Sequence, residues 1–368
     1  MTSRTRISHG ALALALTFVA CGDSGSTGPT SDGATSDASA TQGETAGATS
    51  DAGTSEASMT AGGSGGMTSA GSTGADATTG AGPTTGAGPT TSEDATTSEG
   101  STGPGLEPCN GHVELCDRPF DQVVFPATHN SNSALSEGYS QIVANHTEGI
   151  GAQLDYGIRA MLIDVHDYQG GTYMCHGTCA LGNQPHAEGL ALIRDFLDAN
   201  PREVLAIIYE DHVGVDAMVA DFEQAGLTAR VYAHEDGAPW PTLGALIEAD
   251  TRLVVTAESG GPPPAWYHHV WDVAWDTPYS FMSPSEFSCE LNRGSQDNDL
   301  YLMNHWVNNL LDLPSEANAA EVNQFDVLHG RALECAAYAG RVPNFIAVDF
   351  FLQGDVVEVA DALNLDGP

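Results

Sequence analysis

Apolar runs of strand length alternate with amphipathic stretches from residue 121 to the end of the chain. The apolar runs predict eight strands, over residues 121–128, 158–165, 172–175, 203–209, 229–232, 252–257, 300–303 and 344–348. Positions with a 3.6-residue period predict helices over residues 142–154, 187–199, 215–225, 243–249, 315–339 and 355–363. The run 203–209 has no polar alternation, which favours a parallel sheet covered on both faces.

Strands that alternate with helices over about 240 residues are typical of a (β/α)8 barrel of the TIM type. A doubly wound sheet could give a similar string, but no glycine-rich loop follows the first predicted strand. We therefore expect an α/β fold with a (β/α)8 barrel over residues 109–368. In such a barrel the chemistry lies on the loops at the carboxyl ends of the strands.

One long segment, residues 259–298, interrupts the alternation between the sixth and seventh predicted strands and is rich in proline and aromatic residues. Its large aromatic side chains are Trp266, Tyr267, Trp271, Trp275, Tyr279 and Phe281. The segment is either an interfacial lip that contacts lipid or a disulfide-stapled cover over the barrel, and the sequence favours neither.

The first 21 residues have the pattern of a secretory signal. Arg4 and Arg6 precede a ten-residue apolar run at 11–20, which is too short to be a permanent membrane span. Cys21 follows a small residue at the expected cleavage point, as in a bacterial lipobox, and we expect a lipid anchor on its sulfur. The alternative is an ordinary signal peptide with an incidental cysteine.

Residues 22–108 consist mainly of Gly, Ser, Thr, Ala and Asp, with almost no large apolar side chain. Such a segment cannot bury enough surface to offset its ordering entropy, so we expect a disordered tether without a site of its own. Together with a lipid anchor it would let the folded domain stand off a bacterial membrane or cell surface.

The chain is strongly acidic, with 49 acidic and 11 basic residues and a formal net charge of −38, and it contains no lysine. This charge disfavours nucleic-acid binding and unaided capture of a multiply phosphorylated headgroup. A bound divalent metal would change that balance locally.

Six cysteines remain when Cys21 is set aside, an even number that favours disulfides in an exported protein. Six cysteines allow 15 pairings. Spacing suggests three bridges: Cys109 with Cys116, Cys175 with Cys179, and Cys289 with Cys335. A zinc site is the weaker alternative, because the pair at 175 and 179 has no second matching pair.

Polar and ionisable residues follow nearly every predicted strand, although the strand interiors are almost purely apolar. They are His129, Asn130, Asp164, His166, Asp167, His176, Glu210, Asp211, His212, His234, Glu258, Asn304, His305 and Asp349. Most histidines beside strands are structural, and His212, His234 and His305 show no clear sign of another role. Asp167 and Asp211 are most simply loop caps or solvated charges.

Two of these residues, His129 and His176, stand out as a catalytic pair. They lie in the segments FPATHNS at 125–131 and YMCHG at 173–177. Phosphodiester cleavage by acid–base catalysis needs one imidazole to deprotonate the attacking hydroxyl and another to protonate the leaving oxygen. Asp349 is either a partner that orients a catalytic histidine or an acid on the barrel rim.

A second group, Asn130, Asp164 and Glu210, supplies three oxygen ligands from three parts of the predicted rim. Hard oxygen donors suit Ca²⁺ or Mg²⁺, with water and phosphate oxygens completing the coordination shell. Such a metal would polarise a phosphate and reconcile an acidic domain with an anionic substrate.

These segments resemble the phosphatidylinositol-specific phospholipase C superfamily and its X-type catalytic barrel, over roughly residues 109–363. THNS at 128–131 is similar to the first-histidine motif, GIRAMLID at 157–164 to the second-strand motif, YMCHG to the second-histidine motif and NPREVLAIIYE at 200–210 to the fourth strand. The cysteine spacing also resembles secreted phospholipase-C-like phosphodiesterases.

The resemblance implies that His129 is the general base for the inositol 2-hydroxyl and His176 the general acid for the diacylglycerol oxygen. It places Asn130, Asp164 and Glu210 where the calcium-dependent branch holds its metal. Leu162 departs from that branch, which has a glutamate there. After the fifth predicted strand this chain offers only Tyr232 and His234, where the metal-free branch has an arginine that contacts inositol.

We expect a monomeric, exported phosphoric diester hydrolase that acts on a phospholipid or small phosphodiester, with membrane contact through the lipid anchor. One alternative is a barrel that has lost turnover and serves as a surface binding protein. Another is a phosphodiesterase for a different headgroup. A glycerophosphodiesterase-like enzyme ranks low, because the His-Arg-Gly and Glu-Asn pairs of that class are absent from the first strand.

Overall fold

Eight parallel strands curl around an apolar centre in the computed structural model, which describes residues 107–367. Two short antiparallel strands, β3 and β4, lie beside them. All ten strands are, in chain order, β1 Phe125–Thr128, β2 Ala160–Tyr168, β3 Gly171–Met174, β4 Gln184–Pro185, β5 Leu205–His212, β6 Leu253–Ala257, β7 His268–His269, β8 Ala274–Asp276, β9 Leu300–His305 and β10 Phe345–Val348. The helices are α1 Ile150–Tyr156, α2 His186–Ala199, α3 Val215–Ala225, α4 Leu243–Glu248, α5 Val270–Val273, α6 Glu316–Val322, α7 Phe325–Ala339 and α8 Val356–Leu365.

The order of the parallel strands along the sheet is β7-β6-β5-β2-β1-β10-β9-β8. The two end strands, β7 and β8, are consecutive in the chain and are joined only by the four-residue helix α5. A four-residue helix spans about 6 Å, so the ends of the sheet come close together and the sheet is curled. This is the expected α/β barrel fold of the (β/α)8 type.

Two apolar layers hold this barrel together. Inside it, small and large side chains alternate around the strands, including Ala127, Ala160, Ile208, Leu302 and Phe345. Between the strands and the surrounding helices lies a second layer, to which the outer faces of β2, β5 and β6 contribute. Because successive strand residues point to opposite faces, each fully buried strand contributes to both layers.

Two of the eight predicted strands are wrong as barrel members. The predicted strand 172–175 is β3, which pairs antiparallel with the end of β2 outside the barrel path. The predicted strand 229–232 contains a 3-10 turn at Thr228–Arg230 and one isolated bridge from Val231 to Leu253. Their places are taken by β7 and β8, which are only two and three residues long and lie in the aromatic-rich segment 259–298.

Two predicted helices also differ from the structure. The stretch 142–154 is helical only from Ile150, because Asn145 and His146 donate their backbone amides to Ser133 O in a loop. The stretch 315–339 divides into α6 and α7 at Asn323, whose side-chain amide donates to the backbone oxygen of Asp349 at 2.8 Å. By contrast, α3 begins and ends as predicted, and Gly226 follows it with a φ of 74°.

The three predicted disulfides are confirmed: Cys109–Cys116, Cys175–Cys179 and Cys289–Cys335. The predicted signal, the lipidation site Cys21 and nearly all of the tether at 22–108 lie outside the described residues. Among the helices between residues 107 and 367, none has the length and apolar character needed to cross a bilayer.

Candidate active site

Polar side chains at the mouth of the barrel continue the inner face of its strands. On β2 the inner face runs from Ala160 through Leu162 to Asp164, and on β5 it runs from Ala206 through Ile208 to Glu210. The parallel register pairs these strands residue by residue and sets Asp164 opposite Glu210. The two-residue period of a strand therefore places an apolar floor below and ionisable groups above.

His129 extends the inner face of β1 by one step, and two neighbouring side chains fix its ring. Its Nδ1 lies 2.9 Å from Oδ1 of Asp349, the residue that directly follows β10. Its ring stacks on Trp306 with centroids 3.8 Å apart and an angle of 4° between the planes. An ionised carboxylate only accepts hydrogen bonds, so Nδ1 of His129 carries the proton and donates a hydrogen bond to Asp349. The other ring nitrogen, Nε2, is left for a substrate.

Asp349 is itself held in place by amide donors. Asn145 donates from Nδ2 to Oδ1 of Asp349 at 2.9 Å, and Asn323 donates to its backbone oxygen. Oδ2 of Asp349 is buried and has no hydrogen-bond partner in the described part of the chain. The carboxylate is therefore fixed in orientation but incompletely satisfied, which suits a group that responds to charge on His129.

A second, buried histidine supports the backbone of His129. Nε2 of His146 lies 2.7 Å from the backbone oxygen of His129, to which it donates. Burial lowers the pKa of His146 to about 4, although the charge of Asp349 opposes that shift. His146 is thus a neutral positioning group, and it follows directly on Asn145 in the same loop.

His176 lies in the loop after β3, between the two half-cystines of the Cys175–Cys179 bridge. Its Nδ1 donates to the backbone oxygen of Val143 at 2.7 Å, so Nε2 is again the nitrogen left for a substrate. Burial lowers the pKa of His176; the bond to Val143 opposes this, and the charge of His129 adds to it. The ring of His129 is thus close enough for its charge to act on His176.

The three predicted metal ligands lie at the same mouth. Asn130 follows His129 in a left-handed conformation with φ of 48° and is 4% exposed. Burial raises the pKa of Asp164 well above its ordinary value, and the negative charges of Glu210 and Glu258 raise it further. Burial also raises the pKa of Glu210, but the hydrogen bond from His212 and the nearby histidine charges outweigh it, so the net pKa is lowered.

This donor set fits a hard divalent cation. Two carboxylates face each other across paired strands, no arginine hydrogen bonds to either of them in the described residues, and an amide oxygen source is adjacent. A cation between them would offset the negative charges of Glu210 and Glu258, which together with burial raise the pKa of Asp164. Within residues 107–367 no cluster of three or more His, Cys, Asp and Glu side chains is arranged as a metal site. A cation here would therefore depend on the amide oxygen of Asn130 for its third protein ligand.

Two further histidines border these carboxylates. His212 binds Oε1 of Glu210 through Nε2 at 2.9 Å, and its ring stacks on His166 with centroids 4.4 Å apart. The hydrogen bond with Glu210 raises the pKa of His212, while burial lowers that of His166. The hydrogen bond to Glu210 therefore favours the protonated form of His212 at the mouth of an otherwise acidic site.

Sequence reasoning missed an arginine that reaches this site from the aromatic-rich segment. Arg293 donates to both carboxylate oxygens of Glu258 at 2.9 Å and from Nη2 to Asp276 at 2.6 Å. Its guanidinium carbon lies 4.2 Å from the Trp271 ring centroid and 4.8 Å from that of Tyr279. The hydrophobic pattern gives no indication of where Arg293 lies. The only sequence feature that could have drawn attention to it is the scarcity of basic residues in a domain without lysine.

Arg293 also moderates the acids that it pairs with. Burial raises the pKa of Glu258 to about 7; Arg293 opposes that shift, and the charges of Glu210 and Asp276 add to it. Asp276 ends β8 and is fully buried, and Asn304 of β9 donates to it at 3.1 Å. The wall of the mouth opposite the histidines is therefore an ionic network.

Other predicted candidates serve the structure. Asp211 caps a loop, because it accepts from the backbone amides of Ser259 and Gly260 at 2.7 and 2.8 Å. His305 is fully buried, and its Nε2 donates to Val322 O at 2.9 Å. His234 stacks on Trp240 with centroids 3.9 Å apart.

Comparison with known proteins gives this geometry a family context. The family model described as PI-PLC X 1 matches residues 115–364, more than half of the chain. The PI-PLC X domain-containing protein 1 of Arthroderma benhamiae is 28% identical over 279 residues, covering 70% of this chain and 89% of that protein. An uncharacterized secreted protein of the same species is 29% identical over 290 residues, covering 70% of this chain but only 64% of that protein.

Among solved structures, a mutant of the phosphatidylinositol-specific phospholipase C from Staphylococcus aureus is similar, with a TM-score of 0.47 and 12% identity. The match covers 67% of this chain and 93% of that chain.

Proposed function

The chain belongs to the PI-PLC X family, and from that premise we propose that it is an exported phosphodiesterase of the phospholipase C type. Its reaction is cleavage of the bond between phosphate and the glycerol oxygen of a phospholipid such as phosphatidylinositol, with a headgroup hydroxyl as nucleophile. One observation carries the proposal: His129 and His176 each have Nδ1 bound by the protein and Nε2 left for a substrate.

His129 is the proposed general base. Asp349 holds the proton on Nδ1, so the lone pair on Nε2 is available to take the proton of the attacking hydroxyl. The ring then becomes an imidazolium, and the buried carboxylate of Asp349 stabilises that charge. Stacking on Trp306 restricts the ring to one orientation and shields one of its faces from water.

His176 is the proposed general acid, which donates a proton from Nε2 to the leaving oxygen of diacylglycerol. Its lowered pKa makes the imidazolium a stronger acid than free histidine. The negative charge of a bound phosphate diester would favour the protonated form before the reaction. After the first step His176 is neutral and His129 is charged. In the second step the roles can therefore be exchanged: His176 takes a proton from water, which attacks the cyclic phosphate, and His129 returns a proton to the headgroup oxygen.

Asn130, Asp164 and Glu210 would hold Ca²⁺ or Mg²⁺, which we propose as the cofactor. A divalent cation bound there supplies a positive charge that polarises the phosphate and offsets its repulsion by the acidic mouth. Leu162 packs toward the barrel core one inner-face step below Asp164, so it adds no ligand from below. The cation would therefore be held from the rim alone.

The export step and the lipid anchor are part of the same proposal. Their support is the signal-like segment ending at Cys21 and the relative that is named a secreted protein. We propose a monomer that is tethered to a bacterial membrane or cell surface, or released from it.

The test is a panel of phosphatidylinositol, phosphatidylcholine and a soluble chromogenic phosphodiester, assayed across a Ca²⁺ titration and in EDTA. His129→Ala and His176→Ala should each lower turnover by about two to four decades, the usual magnitude for acid–base catalysis. His329→Ala, on the outer helix α7, is the matched control and should retain full activity. Full activity in both active-site variants would refute the proposal.

A binding protein without turnover is the second candidate, favoured by the ionic network of Arg293. That arginine already binds Glu258 and Asp276 and is not free to contact a phosphate. Phospholipid binding by the wild-type chain without hydrolysis of any member of the panel would support this candidate.

A further inference from the structure

Two histidines, His166 and His212, face each other one step above the proposed cation site. The parallel register of β2 and β5 pairs His166 with His212, just as it pairs Asp164 with Glu210 two residues earlier. Because side chains return to the same face of a strand every two residues, both imidazoles continue the inner face of the mouth. Their rings stack with centroids 4.4 Å apart and an angle of 23° between the planes. A layer of nitrogen donors therefore lies above the layer of oxygen donors.

Glu210 fixes the orientation of the His212 ring. Nε2 of His212 lies 2.9 Å from Oε1 of Glu210, to which it donates a hydrogen bond. In the neutral imidazole the lone pair is then on Nδ1. Histidines that bind metals usually donate their other ring N–H to a carboxylate, which holds the ring and raises its basicity. His212 has that arrangement, with Glu210 as the outer carboxylate.

His166 offers a nitrogen that no other group in residues 107–367 binds. Its Nε2 is buried and has no hydrogen-bond partner there. A buried polar atom without a partner is costly, and a bound cation would satisfy it. Zinc–nitrogen bonds are about 2.1 Å long, so two imidazole nitrogens on one ion lie at most about 4.2 Å apart. The separation of the two rings is of that size, and the side chain of His212, which is 46% exposed, has room to adjust.

Nitrogen donors select a different class of cation from the oxygen donors below them. Imidazole suits Zn²⁺, Cu²⁺ and Ni²⁺, whereas carboxylate and amide oxygens suit Ca²⁺ and Mg²⁺. Two protein nitrogens leave the remaining positions of a tetrahedral ion to water. The chain, with a formal net charge of −38, attracts any cation. The donor atoms, rather than the overall charge, therefore give the selectivity.

We propose that His166 and His212 form a second cation site, which binds Zn²⁺ or a similar divalent transition-metal ion through one imidazole nitrogen from each. The site is separate from the proposed Ca²⁺ or Mg²⁺ site. It uses neither Asn130 nor Asp164, and it contacts Glu210 only through the ring of His212.

A bound Zn²⁺ would also act on the proposed reaction. Burial and the charge of His212 lower the pKa of His166, and the charge of His176 adds to this, so the proposed general acid lies within electrostatic range of the pair. An ion with two positive charges there would repel the imidazolium form of His176, which has to donate to the leaving oxygen. We therefore expect Zn²⁺ to inhibit hydrolysis. This consequence rests on the proposed function, whereas binding of the ion does not.

The test uses the full chain with Cys21→Ser and no affinity tag, since the other six cysteines are bridged and supply no thiolate. Zn²⁺ is titrated against a chromophoric chelator at slightly alkaline pH, where imidazoles are neutral, and in excess Ca²⁺, which occupies the oxygen donors. His166→Gln and His212→Gln should each weaken Zn²⁺ binding by at least about 10-fold. The matched control is His112→Gln, which should bind like the parent. His112 also binds a carboxylate, that of Asp361, through Nε2 at 2.9 Å, but it lies outside the mouth beside α8.

A spectroscopic signature separates ligation from a merely structural effect of the substitutions. Electron paramagnetic resonance of bound Cu²⁺ should show coupling to two nitrogens in the parent and to one in either variant. Zn²⁺ should also slow hydrolysis of a soluble phosphodiester by the parent more than by either histidine variant.

Equal Zn²⁺ affinity in the parent and in both histidine variants would overturn the inference. Loss of Zn²⁺ binding in Asp164→Asn with full binding in His166→Gln would also overturn it, because the ion would then occupy the oxygen donors. If no substrate is hydrolysed but Zn²⁺ binding depends on both histidines, the proposed function fails and this inference stands.

Discussion

Replacing Asp349 by asparagine tests how the carboxylate acts on the proposed base. Oδ1 accepts from His129 and from Asn145, both at 2.9 Å, whereas Oδ2 has no partner. An asparagine at 349 can place its amide oxygen in the position of Oδ1 and keep both hydrogen bonds. The Asn145 donor favours that orientation, so Asp349→Asn should preserve the tautomer of His129 and remove only the negative charge.

The expected loss follows from the strengths of the two kinds of hydrogen bond. A bond to a charged group is worth about 1.5–3 kcal/mol and a neutral one about 0.5–1.5, so the difference is about 1–2 kcal/mol. If that difference is realised only when His129 becomes an imidazolium, kcat falls by about 5-fold to 30-fold. Asp349→Ala also releases the ring and should approach the loss expected for His129→Ala.

The assay is kcat on a soluble phosphodiester, so that membrane binding does not enter. In a His129→Ala background, Asp349→Asn should have no further effect, because its role passes through that imidazole. Adding Asn145→Ala to Asp349→Asn lets the new amide flip, so the pair should lose more than the product of the single losses. A loss of three decades from Asp349→Asn alone, or an equal loss in the His129→Ala background, would refute the reasoning.

Three further predictions concern charge. Asp164→Asn and Glu210→Gln should lower activity in a way that added Ca²⁺ partly restores, with Asp195→Asn as an exposed control; full wild-type activity in EDTA would contradict the ligand assignment. Arg293→Gln removes the ion pairs of Glu258 and Asp276 and should lower the free energy of unfolding, measured in urea, by about 2 kcal/mol. This is less than expected for a fully buried pair, because Arg293 is 30% exposed. The control Arg194→Gln should change the free energy of unfolding by less than about 0.5 kcal/mol, and equal effects of the two variants would contradict the role of the network. Burial and the charge of Arg331 lower the pKa of His305 to about 3, so between pH 6.5 and 3 the unfolded chain binds a proton that the native state does not. The free energy of unfolding therefore decreases as the pH is lowered through this range, by up to about 1.4 kcal/mol per pH unit. His305→Gln should show a shallower dependence on pH in urea melts from pH 6.5 to 5, and an unchanged dependence would contradict this.

The sequence predicted the barrel because its strand signals are strong where strands are buried on both faces. The apolar runs at β5 and β6 and the helix ending at Gly226 needed no tertiary information. The short strands β7 and β8 carry no such signal. β7 and β8 form when the two ends of the sheet meet and the barrel closes. Closure depends on the geometry of all the strands, so it cannot be predicted from two or three residues.

The candidate site divides in the same way. His129, His176, Asp164, Glu210 and Asp349 each stand at a strand end or in a motif, and their positions could be predicted. Asn145 and Asn323 could not, because each comes from a loop or a helix break that is defined only by contact with Asp349. Arg293 lies near the end of the irregular segment 259–298, and no local sequence pattern indicates where its side chain will lie.

The distribution of charge in the mouth explains how an acidic domain could accept an anionic phosphate. On one wall, Arg293 is already neutralised by Glu258 and Asp276. On the other, His212 pairs with Glu210, and Asp164 carries a pKa raised by burial and by its acidic neighbours. A phosphate would therefore meet no free guanidinium in the described site. Its charge would have to be matched by the two proposed catalytic imidazoles or by the proposed cation between Asp164 and Glu210, and this is why a dependence on Ca²⁺ or Mg²⁺ belongs to the proposal.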